Sequence, residues 1–327
     1  MAIVFENTLT EEGFRPGSVS LLVLPLAFTP GLVYGLLMTT VLGGTLIVEP
    51  ELNPEHAVEL IERHRVQALF GVPLIFEAMA RADAFDSADL SSLRTALVGG
   101  AAVPVDLLQR WSAKGVLLRQ IYGMTEAGMI TSNPYKGGER IAGTVGYALP
   151  GISVRVAKQD GTILPPGEVG VLEVKGPNVF KGYWRNPEKT KEEFRPDGYF
   201  ITGDLAIMAE DGRVTIVGRA KDLIISGGFN VYPKEVEEEL NALPGVNESA
   251  VIGVPHPDFG EGVIAILTPE PGATVPSEAE VIAALSNRLA KFKLPKRVFV
   301  VDELPRNAMG KVQKAELRNQ YAKVFTS

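Results

Sequence analysis

Cysteine is absent from the 327-residue chain, which excludes disulfides, thiolate metal sites and cysteine nucleophiles. That fits a reducing compartment, and the cytoplasm is the expected location. Positive charge is short as well. The net charge is −7, a poor match to the phosphate backbone, so no nucleic-acid partner is expected. Repeats and low-complexity tracts are missing, and 46% apolar with 22% charged residues excludes a disordered tail, a coiled coil and a collagen-like fibre. The opening residues Met1-Ala2-Ile3-Val4-Phe5-Glu6 lack the basic and apolar regions of a signal peptide.

A long unbroken apolar helix is missing too. Residues 16–48 carry no charged side chain, but Pro25, Pro30, Gly31, Gly35, Gly43 and Gly44 interrupt them, so no transmembrane segment is expected. The stretch reads instead as a buried strand (Val19–Leu24), a helix (Gly31–Leu42) and a second buried strand (Thr45–Val48). Buried strands joined through helices are what a parallel sheet covered on both faces produces.

What the chain has in excess is glycine and proline, 34 and 23 residues, which points to many tight turns and glycine loops. The length suits more than one domain. Over residues 1–142 a β-α-β rhythm predicts an open α/β sheet. It comprises helices at Pro54–Arg65, Pro73–Arg81 and Val103–Lys114, and strands at Val66–Gly71, Thr95–Val98 and Leu117–Tyr122. Residues 143–217 change texture: glycine turns separate short alternating runs, which predicts an antiparallel barrel-like β subdomain. Residues 218–222 open a short, charged, glycine-rich stretch that reads as a hinge. Residues 223–327 read as a small α+β domain. Its helices are predicted at Pro233–Leu243, at a Ser277/Glu280 capping box with a stripe of Ile282, Leu285, Leu289 and Phe292, and at Lys314–Val324. Its strands are predicted at Ser249–Val254, Val263–Thr268 and Arg297–Val301.

Four clusters are too dense in glycine and polar residues to be read only as turns. Tyr122-Gly123-Met124-Thr125-Glu126 follows a strand, where open α/β sheets bind ligands. An aromatic face can stack on a base and a carboxylate can hold Mg²⁺; alone, the cluster reads equally well as a strand-end turn. Gly198-Tyr199-Phe200-Ile201-Thr202-Gly203-Asp204 places a carboxylate that could accept from a ribose diol or simply serve a turn. Gly218-Arg219-Ala220-Lys221-Asp222 precedes Ser226-Gly227-Gly228-Phe229-Asn230. Leu304-Pro305-Arg306-Asn307-Ala308-Met309-Gly310-Lys311 puts a lysine on a glycine loop, where a single lysine is usually a solvated charge.

In this order and spacing the four clusters resemble the adenylate-forming superfamily of acyl-CoA synthetases, luciferases and peptide-synthetase adenylation domains. Bacterial acyl-CoA synthetases are the most similar, with particular similarity to malonyl-CoA synthetases over Lys175–Asp204 and Gly218–Leu317. The resemblance implies part of a large adenylate-forming domain followed by a small mobile C-terminal domain. It implies two steps: a carboxylate attacks the α-phosphorus of ATP, giving acyl-adenylate and pyrophosphate, and the CoA thiol then displaces AMP. By motif, Tyr122 would stack on adenine, with Gly99, Gly100 and Ala101 lining the base pocket and Gly123 beside them. Thr125 would bond the α-phosphate and Glu126 would hold Mg²⁺. Asp204 and Arg219 would grip the ribose, and Lys311 would bridge the carboxylate and phosphoryl oxygens. Lys221 would mark the hinge, and rotation there would bring Ser226, Gly227, Gly228 and Phe229 to the site for thioester formation. The ten Lys/Arg of residues 286–327, against three Asp/Glu, would suit CoA phosphates or form a solvated basic face.

Two departures from the family pattern shape the expectation. The Ser/Thr/Gly-rich phosphate loop of relatives has no counterpart here, so the chain is expected to be a piece of a longer enzyme with little synthesis alone. Self-association through apolar surface near residues 16–48 is expected with it. Phe28 stands where relatives often have His, and Gly71-Val72-Pro73 is followed by Leu74, Ile75 and Phe76 rather than by arginine. An acyl pocket walled by Phe28, Gly71 and Phe76 suits a fatty or aromatic acid better than malonate. The alternatives are a malonyl-CoA-type synthetase and a non-catalytic remnant that binds AMP or acyl-adenylate.

Overall fold

The computed structural model describes residues 14–101, 103–134, 140–307 and 310–325. The chain divides into two compact units, residues 1–202 with 206–216, and residues 203–205 with 217–327.

In the first unit, β1 (Val19–Leu22), β2 (Thr45–Val48), β3 (Ala68–Gly71), β4 (Thr95–Val98) and β5 (Leu118–Met124) form the parallel part of a sheet. Two antiparallel strands, β6 (Gly128–Ser132) and β7 (Tyr147–Ala148), extend it in the order β2-β1-β3-β4-β5-β6-β7. β3 and β4 are buried along their whole length, which accounts for their unbroken apolar runs. β2 is not the buried strand its composition suggested. It lies at the edge among the described residues, with Thr45 and Val48 exposed, because only β1 covers it.

Helix boundaries follow local chemistry. Asn53 caps Pro54–His64 by accepting from the His56 amide at 3.1 Å, and Arg65 ends the helix in a left-handed conformation rather than extending it. The apolar helix after Pro30 is π-helical over Pro30–Leu37 and becomes α only at Met38–Val41. Val105–Ala113 starts one residue after Pro104, which serves as its N-cap.

The antiparallel region of this unit forms a four-stranded sheet, in the order β11-β10-β9-β8. Its strands are β8 (Ser153–Ala157), β9 (Val169–Lys175), β10 (Phe200–Met208) and β11 (Val214–Arg219). Periodicity gave no sign of the helix Pro187–Glu193, because none of its residues is buried. Its Asn186-Pro187 start does carry a signal: Asn186 caps Lys189 and Pro187 takes the first turn.

The second unit pairs β12 (Ile224–Ser226) with β13 (Phe229–Val231), and β14 (Val246–His256) with β15 (Gly260–Pro269). β15 also pairs with β12 at one register point and in parallel with β16 (Arg297–Val300). β14 and β15 are buried on both faces. Val251, Val263, Ala265 and Leu267 pack with Val236, Leu240, Val281 and Leu285 on one side. Ala250, Ile252, Val254, Ile264 and Ile266 pack with Leu304 and Leu317 on the other. This is the period-2 alternation of a covered sheet.

The capping box at Ser277 forms as the sequence predicts, but the helix is only Glu278–Ser286. Val281 joins Leu285 as its fully buried residue, while Leu289 and Phe292 reach the same core from beyond the helix end. Helix Pro233–Asn241 also stops short of Leu243, since the residue before Pro244 disfavours the α region. The last helix is Lys314–Gln320.

Candidate active site

Three loops leave the carboxyl ends of neighbouring parallel strands in the first unit. Gly71 ends β3 and leads into Val72-Pro73, Gly99-Gly100-Ala101 follows β4, and Tyr122-Gly123 lies just before the end of β5. They are packed tightly: the Gly99 amide donates to the Gly71 carbonyl at 3.2 Å. A Cβ on Gly99 would stand 2.8 Å from the Ile121 carbonyl oxygen, so glycine is required for this approach. Gly100 and Ala101 are exposed, the only two of the three candidate base-pocket residues open to solvent.

The sequence ended the predicted strand at Tyr122. The structure continues it two residues further, because the pairing with β6 carries β5 on to Met124. The register slips between Tyr122 and Gly123, a bulge of the sort that re-aims a side chain near a site. Tyr122 is half-buried and packs against the core of Val156, Leu164, Leu172, Ala206 and Val214. A Cβ on Gly123 would meet the Gly128 carbonyl oxygen at 2.3 Å.

Thr125 and Glu126 occupy the turn between β5 and β6. The Thr29 hydroxyl donates to Thr125 Oγ1 at 3.3 Å. The segment 178–183 straps the same turn. Asn178 Nδ2 donates to the Ala127 carbonyl at 2.5 Å, the Phe180 amide donates to the Glu126 carbonyl at 2.7 Å, and Tyr183 Oη donates to Glu126 Oε1 at 3.2 Å. Burial first, and then the Glu126 charge, push the Tyr183 phenol above its usual range, so the hydroxyl keeps its proton. Sequence reasoning missed Thr29, Asn178 and Tyr183. The aromatic pair after Gly182 was the available signal.

No group of three or more His, Cys, Asp or Glu able to hold a metal occurs among the described residues, at Glu126 or elsewhere. One carboxylate fits Mg²⁺ of the kind that takes most of its ligands from phosphate and water. Glu126 Oε2 has no partner among the described residues.

The acyl-wall expectation needs correcting at Phe76. The ring is fully buried, edge-on to Trp111 at 5.2 Å between centroids. A Cβ on Gly71 would lie 2.8 Å from that ring. Phe76 therefore fills the space Gly71 leaves and belongs to the core. Phe28 is half-buried in the loop before the π-helix, where its amide donates to the Pro25 carbonyl at 3.2 Å.

In the second unit, Asp204 lies within β10 rather than after a strand, directly behind Gly203 at φ +72°. It is 4% exposed, and its Oδ1 forms an ion pair with Arg219 Nε at 2.6 Å. Lys221 is exposed on a 3₁₀ turn, Ala220–Asp222. Ser226, Gly227, Gly228 and Phe229 form the β12–β13 hairpin, a regular element where the sequence suggested a continuation of the hinge. Gly227 and Gly228 both take positive φ, +60° and +83°, as a two-residue hairpin turn demands. Ser226 is buried, whereas Phe229 is exposed and stacked on Phe292 at 4.7 Å.

Lys311 is held at its backbone: its amide donates to Asn307 Oδ1 at 3.0 Å and its carbonyl accepts from the Asn307 amide at 3.0 Å. Although the residue as a whole is exposed, desolvation by the surrounding protein lowers the ammonium pKa. The like charge of Arg219 adds to this and Asp204 opposes it. The flanking Ala308 and Met309 lie outside the described residues.

The basic excess of the C-terminal segment is largely matched within the unit. Arg288, Lys293, Arg297, Arg306, Lys314 and Arg318 pair with Glu239, Glu235, Glu278, Glu248, Glu237 and Asp222. Lys291, Lys296, Lys311 and Lys323 have no ion pair among the described residues.

No helix among the described residues is long and apolar enough to cross a membrane. A family model described as AMP-binding enzyme matches residues 2–184, and one described as AMP-binding enzyme C-terminal domain matches residues 235–311. The chain is 43% identical over 317 residues to a feruloyl-CoA synthase of an Amycolatopsis species, covering 96% of this chain and 64% of that protein. It is 38% identical over 282 residues to an indoleacetate–CoA ligase of Aromatoleum aromaticum, covering 86% and 55%. ATP-bound MatB of Rhodopseudomonas palustris superposes with a TM-score of 0.94 at 47% identity, covering 99% of this chain and 64% of that one. The chain thus spans less than two thirds of the length of each of these proteins. With both units matched, it belongs to the AMP-binding enzyme family, within the adenylate-forming superfamily that its motifs resemble.

Proposed function

We propose that the protein is an ATP-dependent acid–thiol ligase, acting on a fatty or aromatic carboxylic acid and CoA. The observation that carries this reading is the convergence of three glycine-bearing strand ends with Tyr122, beside a strapped turn that presents Thr125 and Glu126. A crevice outside the carboxyl ends of parallel strands is where such a fold takes a nucleotide. Tyr122 would stack on adenine, with Gly99, Gly100, Ala101 and Gly123 giving room for it. Thr125 would donate to the α-phosphate. Asp204 would accept from the ribose hydroxyls, with Arg219 holding the carboxylate in place.

In the first step the substrate carboxylate oxygen bonds to the α-phosphorus and the bond to pyrophosphate breaks. Negative charge concentrates on the phosphoryl oxygens, and Lys311 supplies a preorganised positive charge there. Mg²⁺, held by Glu126, would neutralise phosphate charge. In the second step the CoA sulfur bonds to the acyl carbon and AMP departs. Lys221 is assigned to the hinge, and the Ser226–Phe229 hairpin to the thioester step.

The substrate class rests on residues 74–78, Leu-Ile-Phe-Glu-Ala, which offer no cation for a second carboxylate. Phe28 and Gly71 are assigned to the acyl wall. Location in the cytoplasm belongs to the same reading. So does self-association through the exposed Val41 and Val48 near the sheet edge, which sedimentation would detect.

Two measurements test the proposal. Calorimetry should detect AMP binding to this chain, weakened by Tyr122→Ala; an unchanged affinity removes Tyr122 from the adenine role. Thioester formation with a panel of acids should favour aromatic or aliphatic monocarboxylates, and preference for malonate would overturn the substrate class.

A further inference from the structure

We propose that Tyr183 is a positioning residue for Glu126, fixing the carboxylate so that Oε2 is presented to a divalent cation on the nucleotide phosphates. The inference rests on the nucleotide-site reading above and adds a residue to which the motifs assign no role. Its basis is geometric. Tyr183 Oη donates to Glu126 Oε1 at 3.2 Å, and Oε2 meets no partner among the described residues. A glutamate side chain on a turn has several rotamers open to it, and one hydrogen bond at Oε1 selects among them. A lone carboxylate ligand gains most from such selection, because no second protein ligand corrects its aim.

The tyrosine is itself held on three sides. Its amide donates to Thr190 Oγ1 at 2.9 Å, and its ring meets Phe180 edge-on at 4.8 Å. Gly182, at φ +144°, brings the backbone so close to Thr190 that a Cβ would stand 2.6 Å from Thr190 Cγ2. The Phe180 amide fixes the Glu126 carbonyl from the same segment. Both ends of the Glu126 residue, backbone and carboxylate, are thus tied to residues 180–183. A residue serving only the core would not need its hydroxyl aimed at a carboxylate on the ligand turn.

The test is ATP affinity of the full chain with and without Mg²⁺, measured by calorimetry for the wild type, Tyr183→Phe, Glu126→Gln and the double variant. Phenylalanine keeps the ring contact with Phe180 and removes only the hydroxyl. The quantity compared is the affinity gain from Mg²⁺ within each variant, which a general weakening of the fold does not mimic. The expected result is a gain reduced about tenfold in Tyr183→Phe, the lower end for a lost hydrogen bond to a charged group. Metal-free ATP affinity and melting temperature should stay the same, and the double variant should lose no more than Glu126→Gln. A full gain in Tyr183→Phe overturns the inference, as does an equal loss of metal-free affinity. If the wild type gains nothing from Mg²⁺ and Glu126→Gln equals it, the Glu126 reading fails instead. If ATP does not bind, the nucleotide site fails with both.

Discussion

Arg219 Nε lies 2.6 Å from Asp204 Oδ1, and the two partners differ sharply in exposure. The aspartate side chain is 6% exposed and the arginine side chain 43%. Removing either residue breaks the same ion pair, but the residue left behind differs. Arg219→Ala leaves a nearly buried carboxylate short of its cation, whereas Asp204→Asn leaves a guanidinium that water can solvate. Arg219→Ala should therefore lower unfolding stability by about 1–3 kcal/mol, the cost when a buried polar group loses a partner. Asp204→Asn should cost clearly less in the same urea titration. Both should weaken AMP binding, so stability separates two variants that ligand affinity does not. Equal destabilisation would contradict the asymmetry.

With Lys311 in the proposed catalytic role, adenylation should depend on pH through its ammonium group. Its pKa is lowered from 10.5 by desolvation and then by Arg219, with Asp204 pulling the other way. The charged form is lost as pH rises through the lowered value, so adenylation should fade on the alkaline side before an ordinary lysine would deprotonate. The stability effect has the opposite sense. Between the lowered value and 10.5 the unfolded chain binds the extra proton, so this group's contribution to stability rises with pH across that window. Asp204→Asn removes the attraction that holds the proton and should move the alkaline limb lower. Lys311→Arg, charged throughout, should erase the limb. Pyrophosphate release measured against pH checks both, and an unmoved limb in Asp204→Asn would rule out the coupling.

How far these residues were legible before the structure depends on what announces a residue. Tyr122, Glu126, Asp204 and Lys311 sit in clusters whose glycines mark unusual backbone, so the clusters stand out locally. Asn178 and Tyr183 act on a turn about fifty residues away, and no local pattern encodes that pairing. Burial in β3 and β4 was legible from unbroken apolar runs. The same reading failed for β2, because an edge strand with the composition Thr-Leu-Ile-Val looks identical to a buried one until its neighbours are known. The helix Pro187–Glu193 buries nothing, so only its cap could give it away. Gly227-Gly228 read as flexibility, yet the positive φ of both residues is what a tight hairpin turn requires. Phe76 was assigned to the acyl wall from its position after Gly71-Val72-Pro73. Sequence position cannot tell which way a helical side chain faces, and this one faces Trp111.

The burial of Phe76 also constrains Gly71. The Phe76 ring occupies the place where a Gly71 side chain would go, 2.8 Å from an added Cβ. Phe76→Ala should cost about 3–5 kcal/mol, as for other fully buried aromatics, and should do so without selective loss of any one acid substrate. Gly71→Ala forces the ring or the strand to shift and should cost about 1–3 kcal/mol. In the double variant the smaller side chain at 76 relieves the clash, so the Gly71→Ala penalty should largely vanish. Guanidinium denaturation of the four proteins measures the coupling, and strictly additive losses would mean that the two positions do not share this space.

Glu173 is the most deeply buried acid in an ion-pair network of the first unit. Its Oε2 meets Arg155 Nε and its Oε1 meets Arg195 Nε, each at 2.7 Å, with the Glu173 side chain 0% exposed. Arg155 also reaches Asp197 at 2.5 Å, but that carboxylate is 52% exposed, where solvent screens the pair. The Arg155 hydrogen bond nevertheless holds the Asp197 pKa below its usual value, so that pair persists as pH falls until the lowered pKa is reached. Glu173→Ala leaves two largely buried guanidinium groups, 14% and 16% exposed, without their shared anion. Breaking a buried pair in this way costs about 3–5 kcal/mol. Asp197→Asn should cost far less although it breaks a shorter contact, because burial rather than distance sets the penalty for the charge left behind. Melting temperatures of the two variants at pH 7 decide the point, and a larger drop for Asp197→Asn would reverse it.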